Sequence, residues 1–127
     1  MRKVFAFVLI LIGFLPPSAA QTDCSTGGQT AFASETLAIS TTAVILTASV
    51  YNPGAGQPNA TSALVVVNPS ENLRVAFDGS APTTSVGAVV VPNQSFVICG
   101  VQIAKFQAIR DGASDGEITA TYFSPAQ

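Results

Sequence analysis

The alternation of apolar and polar side chains is clearest in two segments of the chain, residues 73–78 and 118–122. A period of two residues is typical of β-strands that bury one face and leave the other in water. Residues 63–67 and 88–91 are instead apolar at every position. Strands of that kind lie in the middle of a sheet or are covered by a neighbouring subunit, so we expect one of these two environments for each.

Further predicted strands lie at residues 36–40, 43–50, 95–99 and 101–109. The alternation in the last of these breaks near Ala104 and Lys105, where we predict a β-bulge. Gly, Pro, Asn and Asp fill the gaps between the strands, as turns require, and the pattern indicates no helix. About seven or eight short strands with such turns predict an all-β fold, a single antiparallel β-sandwich of the immunoglobulin-like or jelly-roll-like kind.

The start of the chain has the pattern of a secretory signal peptide. Two basic residues precede an apolar run at residues 4–15, and Ser18 and Ala20 are small residues at the positions that signal peptidase requires. The run is shorter than the roughly 20 residues that cross a bilayer, which argues against a retained anchor. We therefore expect residues 1–20 to be removed and residues 21–127 to form one secreted domain, periplasmic or on a cell surface, with no stable membrane insertion.

Charge excludes one class of partner. Without the signal peptide, three cations face seven carboxylates, which gives a net charge of −4. The cations, Arg74, Lys105 and Arg110, form no basic run. Because nucleic-acid binding depends on clustered Lys and Arg that neutralise phosphates, we expect no nucleic-acid partner.

Cys24 and Cys99 are the only cysteines in the sequence. A lone pair in an exported protein most often forms a structural disulfide. The bridge closes a loop of about 75 residues, which in the chain-entropy model stabilises the fold by roughly 4 kcal/mol. A redox or nucleophilic role is the alternative, but it needs an activating neighbour and the chain contains no histidine.

The sequence contains no recognisable catalytic arrangement. Without histidine, a serine nucleophile lacks its usual base, and zinc needs a close set of Cys, His or carboxylate ligands. The carboxylates that might form a glycosidase pair lie in or beside turn signals. We therefore expect a protein that is not an enzyme and that has no cofactor.

The loop DGASDGE is the one candidate metal site. Its carboxylates, Asp111, Asp115 and Glu117, supply the oxygen ligands that calcium prefers. However, Ala113 and Tyr122 stand where an EF-hand loop has two of its ligands. We therefore predict a hairpin turn between the flanking strands, with calcium binding as the alternative.

Two asparagines, Asn59 and Asn93, begin the acceptor pattern for N-glycosylation. The pattern has meaning only in a eukaryotic secretory pathway, so the use of both positions stays open. Recognition of a glycan by ring stacking has weak support, because the mature chain lacks tryptophan and has only two tyrosines.

Residues 74–87, RVAFDGSAPTTSVG, begin as a strand and continue into turn residues and hydroxyls. Arg74 and Asp78 share a strand face but lie roughly 13 Å apart, too far to pair. Proline fixes a backbone angle here, and the hydroxyls can bond to the exposed main chain. We predict an ordered structural corner that depends on six residues: Arg74, Asp78, Gly79, Pro82, Thr83 and Gly87.

The same stretch resembles a pattern in small β-sandwich proteins of tailed bacteriophages, which are often virion structural or accessory proteins. In that pattern an arginine-bearing strand precedes Phe-Asp-Gly-Ser/Thr, one further residue, Pro-Thr, and Ser-x-Gly before an apolar strand. The resemblance continues loosely through residues 97–109 and to Tyr122 and Phe123, over about the second half of the chain. The residues that match the pattern are Arg74, Phe77, Asp78, Gly79, Pro82, Thr83, Ser85 and Gly87.

The resemblance implies a structural or surface-decoration protein that self-associates or coats a larger assembly, with a virion surface as one further location. Phage capsid and tail proteins assemble in the host cytoplasm and need neither a signal peptide nor a disulfide. Here, either the domain has been recruited to an exported protein or a phage product is exported. The alternative is a different kind of protein, a secreted monomeric binding module for a glycan, a metal ion or a host surface protein.

Overall fold

The computed structural model describes residues 28–126, which form a sandwich of two four-stranded antiparallel sheets with two short helices. This confirms the predicted all-β class and the approximate number of strands. Residues 1–20 and Cys24 lie outside the described residues. In chain order the elements are β1 (Gln29–Ile39), β2 (Val44–Ile45), α1 (Ala48–Tyr51), β3 (Ser62–Val67), β4 (Leu73–Ala76), β5 (Ala88–Val90), β6 (Ser95–Cys99), α2 (Val101–Lys105), β7 (Gln107–Arg110) and β8 (Gly116–Pro125).

The strand order is β1-β8-β3-β6 in the first sheet and β2-β7-β4-β5 in the second. The central position of β3 explains why its residues are apolar on both faces: Val65 is buried in the core, and Leu64 and Val66 are half-buried on the outer face. The other doubly apolar segment has a different environment. β5 is an edge strand of the second sheet, and its residues Ala88 and Val89 are exposed.

The core lies between the sheets and takes alternate residues from the long strands. Val65 and Ile118 enter it from the first sheet and Leu73 from the second, each at most 1% exposed. Alternation places every second side chain on the inner face of a strand. Removal of these side chains from water supplies the main stabilising free energy, at about 25 cal/mol per Å² of apolar surface.

A short helix, and not a β-bulge, interrupts the segment that the sequence predicts as one strand over residues 101–109. Helix α2 follows Gly100, whose φ of +56° suits glycine, and β7 begins only at Gln107. The helix carries Ile103 into the core. Five helical residues are too few to produce a clear helical period, which is why the apolar pattern alone was misleading.

The strand predicted at residues 43–50 is present only as the two residues of β2. The chain then enters α1, and the Thr47 amide before this helix donates a hydrogen bond to Oε1 of Glu35 at 2.9 Å. Because this partner lies on β1, the local pattern of residues 43–50 contains no sign of it.

The predicted hairpin around DGASDG is also wrong, because β7 belongs to the second sheet and β8 to the first. The loop therefore crosses from one sheet to the other. Gly116, which opens β8, is buried, and a Cβ atom there would lie 2.5 Å from Cδ2 of Leu73. Glycine thus permits the close crossing of the chain over the edge of the core.

Candidate functional site

Residues 74–87, called the 74–87 loop below, comprise the end of β4 and the connection from it to β5, its neighbour in the second sheet. Near its start, Oδ1 of Asp78 accepts hydrogen bonds from the Ser80 hydroxyl at 2.5 Å and from the Ser80 amide at 3.0 Å. These two bonds lower the pKa of the Asp78 carboxyl below its ordinary value, and the bond from the Ser80 hydroxyl has the larger effect. The Asp78 carboxylate thus accepts its hydrogen bonds from its own turn and stabilises that turn.

Gly79 attaches this loop to the end of α2 and to β7. Its amide donates to the Lys105 carbonyl at 3.1 Å, and Nε2 of Gln107 donates to the Gly79 carbonyl at 2.7 Å. The φ of Gly79 is +89°, in the region that glycine occupies without a steric penalty. Both backbone groups of this turn residue are therefore satisfied by the neighbouring segment.

The second half of the loop closes on itself. The Thr83 hydroxyl accepts a hydrogen bond from the Val86 amide at 3.0 Å, and Pro82 is buried. At Gly87 the φ is +120°, and a Cβ atom there would lie 3.0 Å from both Cβ of Pro82 and the carbonyl oxygen of Val75. These contacts are those of an ordered connection between strands.

Arg74 pairs with a residue that the sequence did not indicate. Its Nε donates to Oδ1 of Asp111 at 2.6 Å, with side chains 20% and 18% exposed, and Nη1 donates to the Gly87 carbonyl at 3.3 Å. The antiparallel register of β4 and β7 sets Arg74 opposite Ile109, so that Asp111, two residues after Ile109, lies diagonally across from Arg74 on the same face. Only the strand order reveals this ion pair.

The carboxylates of the candidate calcium loop have different partners. Asp111 contacts Arg74, and Oδ1 of Asp115 accepts a hydrogen bond from Arg110 at 2.7 Å. Glu117 accepts one from the side chain of Asn68, in the loop after β3. Among residues 28–126, no group of three His, Cys, Asp or Glu residues is placed to hold a metal ion. The three carboxylates are therefore separated rather than convergent.

Both asparagines of the glycosylation pattern are exposed, and Asn93 has a φ of +65° in the turn between β5 and β6. This turn brings together the two strands that end the sheets on one side of the sandwich.

Cys99 is half-buried at the end of β6, and its expected partner, Cys24, lies outside the described residues. The Ser62 hydroxyl donates a hydrogen bond to Oε1 of Gln29 at the start of β1. Residue Ser62 itself lies opposite Cys99 in the register of β3 and β6. The start of β1 and the end of β6 therefore lie at the same end of the first sheet. They stand three strand spacings of about 4.8 Å apart. The bridge between Cys24 and Cys99 stays a prediction.

Among the described strands, β6 ends the first sheet and β5 ends the second, and these two edge strands meet on this side of the sandwich. A cleft of about 350 Å³ opens between them. Phe77, Val89, Phe96 and Val97 are among its lining residues, and the described lining contains no charged side chain. We call this surface, formed by β5, β6 and the cleft, the open edge.

Exposed apolar side chains concentrate on the strands of the open edge and on the residues that flank these strands in the chain. Six large apolar residues of the described chain are strongly exposed, and only Ile45 lies elsewhere. The other five are on β5 or β6, or within two residues of them: Val86, Val89, Val91, Val97 and Val101, which are 37% to 74% exposed. Apolar surface gathered in one place marks interaction sites more often than scattered residues do.

Comparisons with protein-family models, with curated proteins and with solved structures found no match to this chain. Within residues 28–126, no helix has the length and apolar character needed to cross a membrane. No relative therefore assigns a role to the 74–87 loop or to the open edge.

Proposed function

We propose that this is a non-enzymatic structural or surface-decoration protein that acts by self-association or by coating a larger assembly. The observation that carries the proposal is the open edge, where within residues 28–126 the edge strands of both sheets flank a cleft lined mainly by apolar side chains. Burial of such surface is favourable, and unpaired backbone groups on an edge readily accept another strand. The protein thus has a surface suited to contact with another protein.

Two properties of the sequence support this proposal. The 74–87 loop carries the pattern that resembles virion accessory proteins of tailed phages. In addition, only 9% of the residues are charged, so long-range repulsion between copies is weak. With the predicted signal peptide and disulfide, the product would act outside the cytoplasm, on a cell surface, in the periplasm or on a virion.

The mass of the mature protein in solution tests self-association. Sedimentation of residues 21–127 from micromolar to millimolar concentration is expected to show a mass that rises to a defined multiple of the monomer. A monomer throughout this range contradicts self-association. Binding of a glycan or a metal ion by that monomer would favour the alternative function, a secreted binding module.

A further inference from the structure

We propose that β6 is the strand through which two copies of this chain pair. In this arrangement β6 lies antiparallel to β6 of a second copy, and the two first sheets become one continuous sheet. The inference rests on the proposed function and names the surface and the partner through which self-association occurs.

The opposite side of the sandwich is protected against such pairing. The register between β1 and β8 shifts at Phe32, which forms a bulge, and β1 also carries the charged Glu35. The other edge on that side, β2, is only two residues long. Bulges, charges and short length are the features by which natural edge strands avoid pairing with other chains.

None of these features is present in β6. It has five residues, without charge or proline, and pairs with β3 in unbroken register from Cys99 to Ser95. Its neighbour on the open edge, β5, has three residues, and the Val91 amide beyond it already donates to Oε1 of Gln94 at 3.1 Å. Within the described chain, β6 is therefore the longest edge strand without protection.

A strand beside β6 would also bury apolar side chains on both faces of the sheet. On the outer face, Val97 is 37% exposed and lies opposite the half-buried Leu64 of β3. On the inner face, Phe96 is half-buried at the cleft. Burial of apolar area adds to the backbone hydrogen bonds that any edge strand offers.

The sequence of β6 is suited to pairing with itself. A two-fold axis through Val97 places this residue opposite its equivalent in the second copy, and places Phe96 opposite Ile98. Apolar cross-strand pairs of this kind stabilise an antiparallel sheet. Because the described lining of the open edge is uncharged, two net-acidic copies meet there without like charges in contact.

The test compares two lysine substitutions on opposite edges of the first sheet. In Val97→Lys, two lysines would face each other across the proposed axis. In the control, Ala38→Lys, the lysine replaces an exposed residue of β1 that lies opposite Glu117. We expect sedimentation to show that Val97→Lys weakens the dimer at least about tenfold, while Ala38→Lys assembles like the parent and both variants melt near the parent temperature.

Amide hydrogen exchange on the parent provides the second measurement. The β6 amides that point away from β3 should be protected at high concentration and should exchange quickly when the dimer dissociates on dilution. Protection at both concentrations would overturn the inference, because the edge would then be covered within one chain.

The outcomes separate the two proposals. If the parent dimerises and Val97→Lys dimerises equally well, self-association stands and the β6 interface is wrong. If the parent stays monomeric at every concentration, both self-association and its β6 interface are wrong.

Discussion

The hydroxyl of Tyr122 donates a hydrogen bond to Oε1 of Glu35 at 2.5 Å, which connects β8 to β1 inside the first sheet. Tyr122 is completely buried, and the Thr47 amide donates to the same carboxylate oxygen. The Glu35 side chain thus connects β1 and β8 with the start of α1. Burial, and then the hydrogen bond to Glu35, raise the pKa of the Tyr122 hydroxyl above its ordinary value.

We expect Glu35→Ala to lower the free energy of unfolding by about 1–3 kcal/mol, because it leaves the buried Tyr122 hydroxyl without its acceptor. Denaturant melts of the variant and the parent measure the loss. The control is Glu117→Ala, which removes an exposed carboxylate on β8 together with its hydrogen bond from an asparagine side chain and should lower stability by less than about 1 kcal/mol. Equal losses in the two variants would show that the buried bond has no special role.

The raised pKa of Tyr122 predicts a dependence of stability on alkaline pH. The unfolded tyrosine loses its proton near its ordinary value of 10.0, whereas the folded one keeps it. Ionisation of the unfolded chain therefore favours unfolding, so this contribution is intact below pH 10 and is lost progressively above it. Urea melts of the parent and of Tyr122→Phe from pH 8 to 11 should show a steeper decline for the parent. Parallel declines would contradict the prediction.

Local patterns were sufficient to predict the elements that are defined by their own residues. The bounds of β6 agree with the strand predicted at residues 95–99, and β3 extends the apolar run at 63–67 by one residue. Each of these runs ends beside turn residues, which set the strand limits without help from distant contacts. The same reasoning predicts the sandwich, because strands separated by tight turns pack in antiparallel sheets.

Contacts between distant segments explain the rest. The start of α1 depends on a bond to Glu35, and the turn at Gly79 depends on the carbonyl of Lys105. The open edge also depends on distant contacts: its valines are visible in the sequence, but only the strand order and the shared cleft show that β5 and β6 are edge strands lying side by side. A period of two residues carries no information on which strand lies at an edge.

The crossing at Gly116 gives a prediction on packing. Gly116→Ala should cost about 1–3 kcal/mol, because its Cβ would lie 2.5 Å from Cδ2 of the fully buried Leu73. The control is Gly112→Ala, whose Cβ would meet the end of the flexible, half-buried side chain of Glu71. Glu71 can rotate towards solvent, so thermal melts should show a smaller loss. A Gly116→Ala variant as stable as Gly112→Ala would contradict this account.

The predicted export and disulfide can be measured together by the intact mass of the secreted protein. We expect a chain that begins at Gln21 and weighs two hydrogens less than its reduced form, with Cys24 and Cys99 in one bridged peptide after digestion. Reduction should lower stability by roughly 4 kcal/mol, because the unfolded chain regains the freedom of a long loop. Two thiols that react with alkylating reagent without reduction would exclude the bridge.

The final prediction separates a structural role of the 74–87 loop from a contact role. Gly54 and Gly87 both have positive φ, but a Cβ at Gly54 would meet nothing within 4 Å, whereas one at Gly87 would lie 3.0 Å from Pro82 and Val75. Gly54→Ala should therefore cost about 1 kcal/mol from backbone conformation alone. Gly87→Ala should cost at least about 1 kcal/mol more through overpacking.

Denaturant melts of both variants, with sedimentation at matched concentration, measure these effects beside Thr84→Ala, which alters an exposed hydroxyl in the same loop. A structural loop predicts that Gly87→Ala is the least stable variant and that Thr84→Ala matches the parent in both stability and mass. If Thr84→Ala loses assembly while Gly87→Ala melts like Gly54→Ala, the loop acts as a contact surface, because only its exposed hydroxyls would then matter.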